Sequence, residues 1–198
     1  MTTYLLHGGI PVGSQQLLAG LTYWPEVLRR AGTPVGVLYV LAAIPPERWA
    51  GEFERNLAFL AERGEPGGVT LELASADPPE LTAQLGRSQV VCLRGGTFGV
   101  VRQSTFAKLP NLGELLRGKV VAASSAGAYI LARYCCTSQG TIAEGLGLVP
   151  CKVLAHYHDG RAADLEALRR HGAELPVYAL REDEYVTLEV VVQPLVQR

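Results

Sequence analysis

The chain has 198 residues, 48% of them hydrophobic and 19% charged, with a formal net charge of −1. That length fits a single domain with a sizeable core, and the near-neutral balance offers no basic surface for nucleic acid or an anionic membrane. The longest apolar run, 35–44, is interrupted by Gly36 and too short to span a bilayer, and Met1-Thr2-Thr3-Tyr4 has no charged n-region, so a cytoplasmic protein without a signal peptide is expected.

In chain order, residues 4–7 form a first strand ending at Gly8-Gly9, and a helix follows over 14–31 with Pro25 as a point of interruption. A buried strand covers 35–41. The next helix, 45–63, carries Trp49, Phe53, Leu57 and Leu60 at helical spacing. A strand at 69–73, a short helix at 79–85 and a strand at 89–93 lead to Gly95-Gly96. A helix at 111–117 precedes a fifth strand at 120–123. The apolar stretch 129–134 reads as helix, 152–155 as a sixth strand, 161–171 as helix, and 177–180 and 185–192 as closing strands. Stretches 64–68 and 76–79 read as loops. This alternation with continuous apolar strands predicts one α/β domain over 1–198, a doubly wound, mostly parallel sheet flanked by helices.

Ligands in such folds bind beyond the carboxyl ends of the strands, and chemistry-bearing residues gather there: His7-Gly8-Gly9, Arg94-Gly95-Gly96, Ser124-Ser125 and His156. The corner Val121-Ala122-Ala123-Ser124-Ser125-Ala126-Gly127-Ala128 has the form of a nucleophile elbow, which lifts a hydroxyl above the sheet edge. The turn crowds the positions two before and two after the nucleophile. Ala123 and Gly127 flank Ser125, whereas Ala122 and Ala126 flank Ser124, so Ser125 is the expected nucleophile.

A serine needs a base. His156 ends an apolar strand and is better fixed than His158 in the loop beside Asp159. His171 near a helix end reads as structural, and His7 as a pocket-lining residue. The acid that orients the base lies in Glu182-Asp183-Glu184, with Asp159 as a local alternative. The backbone of Gly96 and the N–H of Ala126 are the expected oxyanion donors. No C-x-x-C pair or zinc spacing occurs among Cys92, Cys135, Cys136 and Cys151, so neither metal nor other cofactor is expected, and the cysteines read as reduced core thiols.

Together these pieces resemble the dipeptidase E and cyanophycinase group of serine peptidases. The resemblance rests on Val90-Val91-Cys92-Leu93-Arg94-Gly95-Gly96-Thr97, Ser125-Ala126-Gly127-Ala128, Gly145-Leu146-Gly147-Leu148-Val149-Pro150, His156-Tyr157 and Tyr178-Ala179-Leu180-Arg181-Glu182. It implies a flavodoxin-like sandwich related to class I glutamine amidotransferases, and a triad of Ser125, His156 and Glu182. It also implies cleavage of short peptides, often next to aspartate, without a metal. The chain departs from the family pattern at Ala123, where glycine is usual, and at Thr97, where asparagine is common; Glu144 is the nearest acid to an aspartate some members carry.

The expected activity is therefore serine-type hydrolysis of short peptides through an acyl-enzyme. Arg94, Thr97, His158 and Arg161 are the expected substrate contacts, with Arg102 a further arginine of the same kind. A non-catalytic binding module of the same fold and an α/β-hydrolase-type esterase are the alternatives. The expected partners are a small peptide and a second copy of the chain, with no nucleic acid and no membrane.

Overall fold

The computed structural model describes residues 1–11, 13–15, 17–63 and 68–191. Two sheets organise the chain, where the sequence pattern suggests one. The main sheet comprises β1 (Thr2–His7), β2 (Val35–Val40), β3 (Val69–Leu73), β4 (Val90–Leu93), β5 (Val120–Ser124) and β10 (Tyr185–Val190). Its order is β10-β1-β5-β4-β2-β3, all parallel except β10, which runs antiparallel to β1. The second sheet, β7-β6-β8-β9, contains β6 (Ala132–Cys136), β7 (Ile142–Glu144), β8 (Val149–Leu154) and β9 (Val177–Ala179), with β7 antiparallel. The expected closing strands are thus divided, β9 entering the second sheet and β10 the first.

Helices cover both faces of the main sheet. On one side α1 (Trp24–Ala31) and α2 (Trp49–Glu62) enclose Leu5, Val37, Tyr39, Cys92 and Ala122. On the other side, α3 (Pro78–Arg87), α4 (Phe98–Gln103), α5 (Thr105–Lys108), α6 (Leu112–Leu115) and α7 (Ala126–Leu131) pack with the second sheet around Leu38, Val91, Val121 and Ile130. A smaller cluster of Tyr134, Cys136, Leu154, Leu165 and Leu168 seals α8 (Ala162–Arg170) onto the second sheet.

Local chemistry explains where elements differ from the expected spans. Pro25 starts α1 rather than interrupting a longer helix, because its fixed φ and missing N–H suit a first turn. Among the described residues before it, Leu18–Gly20 forms a 3-10 turn, held where the Leu18 N–H donates to the buried Asn56 Oδ1 at 2.7 Å. Likewise Pro46–Arg48 is a 3-10 turn leading into α2. The stretch 76–79, expected as loop, begins α3: the Asp77 carboxylate accepts from the Glu80 N–H at 3.2 Å, and Pro78 opens the helix. The apolar run 129–134 changes character midway, helix giving way to β6 at Ala132. Residue 16 of the expected 14–31 helix, residues 64–67 and residue 192 of the last expected strand lie outside the described residues. Among the described residues no helix is long and apolar enough to cross a membrane.

Candidate active site

The strand β5 ends beside β1, with Ser124 opposite His7 and Ala123 opposite Leu6. Ser125 then adopts φ 51° and ψ −115°, outside the usual basins, before α7 begins at Ala126. Such a conformation costs about 1–3 kcal/mol for a non-glycine residue and persists only where its surroundings hold it. Here the Ser125 N–H donates to the His7 carbonyl at 3.0 Å, and the Ser125 carbonyl accepts from the Tyr129 N–H at 3.0 Å. Gly127 has no alternative, since a β-carbon there would stand 2.9 Å from the Leu93 carbonyl oxygen. Ala123 is fully buried within β5, so its extra methyl is absorbed by the core.

The turn presents Ser125 Oγ to His156. The hydroxyl lies 2.9 Å from His156 Nε2, and His156 Nδ1 lies 3.0 Å from Glu182 Oε1. With Glu182 ionised, Nδ1 carries the proton and donates to the carboxylate, leaving Nε2 to accept from the serine. Of the acidic run, only Glu182 makes this contact: Glu184 Oε2 accepts from the Arg181 N–H, and Asp183, at φ 61°, donates its N–H to the Gly9 carbonyl. Glu182 sits on the connection between β9 and β10, where the chain passes from one sheet to the other.

The Gly8-Gly9 segment after β1 supplies the bed for His156. His156 also has positive φ, 52°, and its N–H donates to the Gly8 carbonyl at 2.8 Å. A side chain on Gly8 would collide with the Arg181 carbonyl, and one on Gly9 with the His156 ring itself.

His7, fully buried, ties these pieces together. Its Nδ1 accepts the Gly9 N–H at 3.0 Å and faces Ser124 Oγ at 3.3 Å. Its Nε2 then carries the proton and donates to Thr22 Oγ1 at 3.2 Å, and that hydroxyl donates to the Asp183 carbonyl at 2.7 Å. Burial lowers the His7 pKa to about 4, a shift that nearby Asp183 opposes and His156 reinforces, so the ring is neutral near pH 7.

A cavity of about 950 Å³ opens over Ser125, lined among others by Gly96, Phe98, Ala126, Tyr129, His156 and Glu182. Ala126 is the first residue of α7, so its N–H is one of those a helix leaves without an internal partner. Gly96 stands so close to the Ala43 carbonyl that no β-carbon fits. The Thr97 N–H donates to that carbonyl at 2.8 Å and is therefore committed to the loop.

With this geometry in place, the sequence matches the model of peptidase family S51 over residues 57–190, more than half of the chain. The chain belongs to peptidase family S51. It is accordingly a peptidase, serine-type by family, and the esterase alternative falls away. No curated protein shows a significant match to this sequence. Among solved structures, its fold is similar to that of a peptidase from an acI-B1 Actinobacterium, with a TM-score of 0.63 and 15% identity, covering 95% of this chain and 83% of that one. It is also similar to a putative peptidase E protein from Listeria monocytogenes EGD-e, with a TM-score of 0.57 and 18% identity, covering 96% of this chain and 100% of that one.

The S51 cavity receives some of the expected substrate contacts and not others. Thr97 lines it, and His158 lies exposed at its edge. Arg161 lines it but is a wall residue: Nε donates to Asp164 at 2.9 Å, Nη1 to the Ala155 carbonyl at 2.8 Å and Nη2 to the Thr137 carbonyl at 2.6 Å. Arg94 is not at this cavity; its guanidinium turns to Glu52 on α2, at 3.3 Å. Arg102 is exposed on α4 and does not line the cavity. Two contributions escape the sequence reading. Arg181, beside Glu182, lines the cavity with its guanidinium 5.4 Å from the Tyr157 ring centroid. Residues Thr137, Ser138, Gln139 and Thr141 reach it from the β6–β7 turn. His7, expected to line the pocket, does not: it lies beneath the site, bonded to Gly9 and Thr22.

Proposed function

We propose that this S51 peptidase hydrolyses short peptides through an acyl-enzyme on Ser125. The observation that carries the reading is the unbroken line from Ser125 Oγ through His156 to Glu182, at 2.9 and 3.0 Å, built on a positive-φ elbow. Ser125 Oγ attacks the scissile carbonyl as His156 Nε2 takes its proton, and Glu182 stabilises the imidazolium. Charge on the carbonyl oxygen is met by the N–H groups of Ala126 and Gly96. His156 returns the proton to the leaving amine, and a water then attacks the acyl-enzyme by the same route.

The cavity size suits a small peptide rather than a folded protein chain. For specificity the favoured cation is Arg181. It pairs with Asp159 at 2.7 Å, an exposed pair that a substrate carboxylate can replace at little cost, whereas Arg161 is consumed by the wall. An acidic residue at the cleaved bond fits this arrangement.

A fluorophosphonate probe combined with a defined dipeptide and tripeptide library tests the proposal. Wild-type protein should label at Ser125 and release amino acids, and both should vanish in Ser125→Ala. Absence of labelling in the folded wild type would favour a binding module, and undiminished hydrolysis by Ser125→Ala would end the acyl-enzyme reading.

A further inference from the structure

A second cavity stands on the other side of the sheet. β2 and β4 are neighbours in the main sheet, but the chain leaves β2 toward α2 on one face and β4 toward α4 on the other. Such a switch in winding direction opens a crevice beyond the strand ends, a common ligand position in α/β sheets. Here the crevice is a cavity of about 250 Å³, lined by Ser14, Gln15, Leu17, Arg48, Glu52, Arg55 and Arg94.

Its electrostatics are unusual for an empty structural gap. Three guanidinium groups converge on a single carboxylate oxygen, Glu52 Oε1: Arg55 at 2.9 Å, Arg48 at 3.2 Å and Arg94 at 3.3 Å. Three positive charges against one negative leave an excess of two. Glu52 and Arg94 are mostly shielded from water, with side-chain exposures of 7% and 13%, whereas Arg48 and Arg55 reach solvent at the mouth. Arg94 Nε is buried and has no hydrogen-bond partner among the described residues. Glu52 lies in the first turn of α2, so the helix dipole adds positive potential at the same place.

We propose that this crevice binds a phosphate group. A tetrahedral dianion matches the excess charge, the fork geometry of guanidinium groups and the small volume, and the Ser14 hydroxyl and Gln15 amide add neutral donors at the rim. Arg94 Nη1 also donates to the Gly95 carbonyl at 2.9 Å, so the site adjoins the Gly95-Gly96 loop without sharing a lining residue with the Ser125 cavity.

Titration with inorganic phosphate against chloride at equal ionic strength tests this, read by calorimetry on wild-type protein and on Ser125→Ala, whose binding should be the same. Saturable heat with phosphate is expected, weakened about tenfold or more in the Arg48→Ala/Arg55→Ala double variant. Both arginines are half exposed, and circular dichroism verifies that the double variant is folded. Glu52→Gln removes the competing carboxylate and should tighten binding. Phenyl phosphate, run in parallel, separates a phosphate monoester from the free ion: tighter binding than inorganic phosphate assigns the site to esters. No saturable heat with either compound, or equal heat in the double variant, overturns the proposal.

Discussion

The ring of His156 occupies the space that a side chain on Gly9 would need, and the Gly9 backbone, at φ 102°, is fixed from below by His7. The position of the His156 ring therefore depends on a residue more than a hundred positions away that has no side chain.

Gly9→Ala should leave the protein folded while displacing the His156 ring. A shift of about 1 Å in a reacting group lowers turnover about 10²-fold, so kcat/KM on the best library peptide should fall by that order. Gly13→Ala is the control: it also has positive φ, 88°, but open space around it, and should alter stability without altering kcat/KM. Equal losses in the two variants would argue against the role given to Gly9.

Removing the charge from the acid should separate the three members of the acidic run. Glu182→Gln should reduce kcat about 10³–10⁴-fold, as expected when the imidazole loses its orienting carboxylate. Asp183→Asn, which keeps a residue tolerant of left-handed backbone, and Glu184→Gln should change kcat only a few-fold. Steady-state kinetics on one peptide decides the order.

The neutral state of His7 makes stability pH-dependent. An unfolded histidine takes up a proton near pH 6.5, but in the folded protein burial holds this one neutral down to about 4. Between these values the unfolded state binds more protons, so stability falls as pH drops from 6.5 to 4 and this contribution levels off below. The loss amounts to about 3 kcal/mol at most. Urea unfolding from pH 4 to 7 should show this slope in the wild type and a flatter one in His7→Gln.

The two cavity arginines should behave in opposite ways. Arg181→Ala should raise KM for peptides with an acidic residue about tenfold while leaving the melting temperature almost unchanged, because its pair with Asp159 is exposed. Arg161→Ala should destabilise the fold by about 2–4 kcal/mol, since it removes a buried side chain that bonds the Ala155 and Thr137 carbonyls and pairs with Asp164. Thermal melts and KM values on matched acidic and neutral peptides check both.

The sequence carries more of the site than of the second layer that completes it. Strand ends are marked by glycine pairs and by the serine corner, which is why residues named from motifs converge in space. The second sheet begins at Ala132 directly after Leu131, with no glycine, proline or polar residue to separate helix from strand, so the apolar run has no readable boundary. Arginine placement depends on partners distant in sequence. Arg94 turns to Glu52 across 42 positions, and Arg161 is claimed by carbonyls of Thr137 and Ala155, neither of which carries a sequence signal. The structural work of His7 depends on Thr22 and Asp183 meeting over it, which only the fold brings about.

The division of the strands into two sheets has a consequence for how the protein fails. Ser125 is attached to the main sheet, His156 follows a strand of the second, and Glu182 rides the connection between them. Ser125 and His156 therefore face each other across the junction of the two sheets. On gentle heating, slippage at that junction will silence the enzyme while both sheets are still intact. Loss of probe labelling should then precede loss of far-ultraviolet circular dichroism, making the reactive serine a gauge of the joint between the two layers.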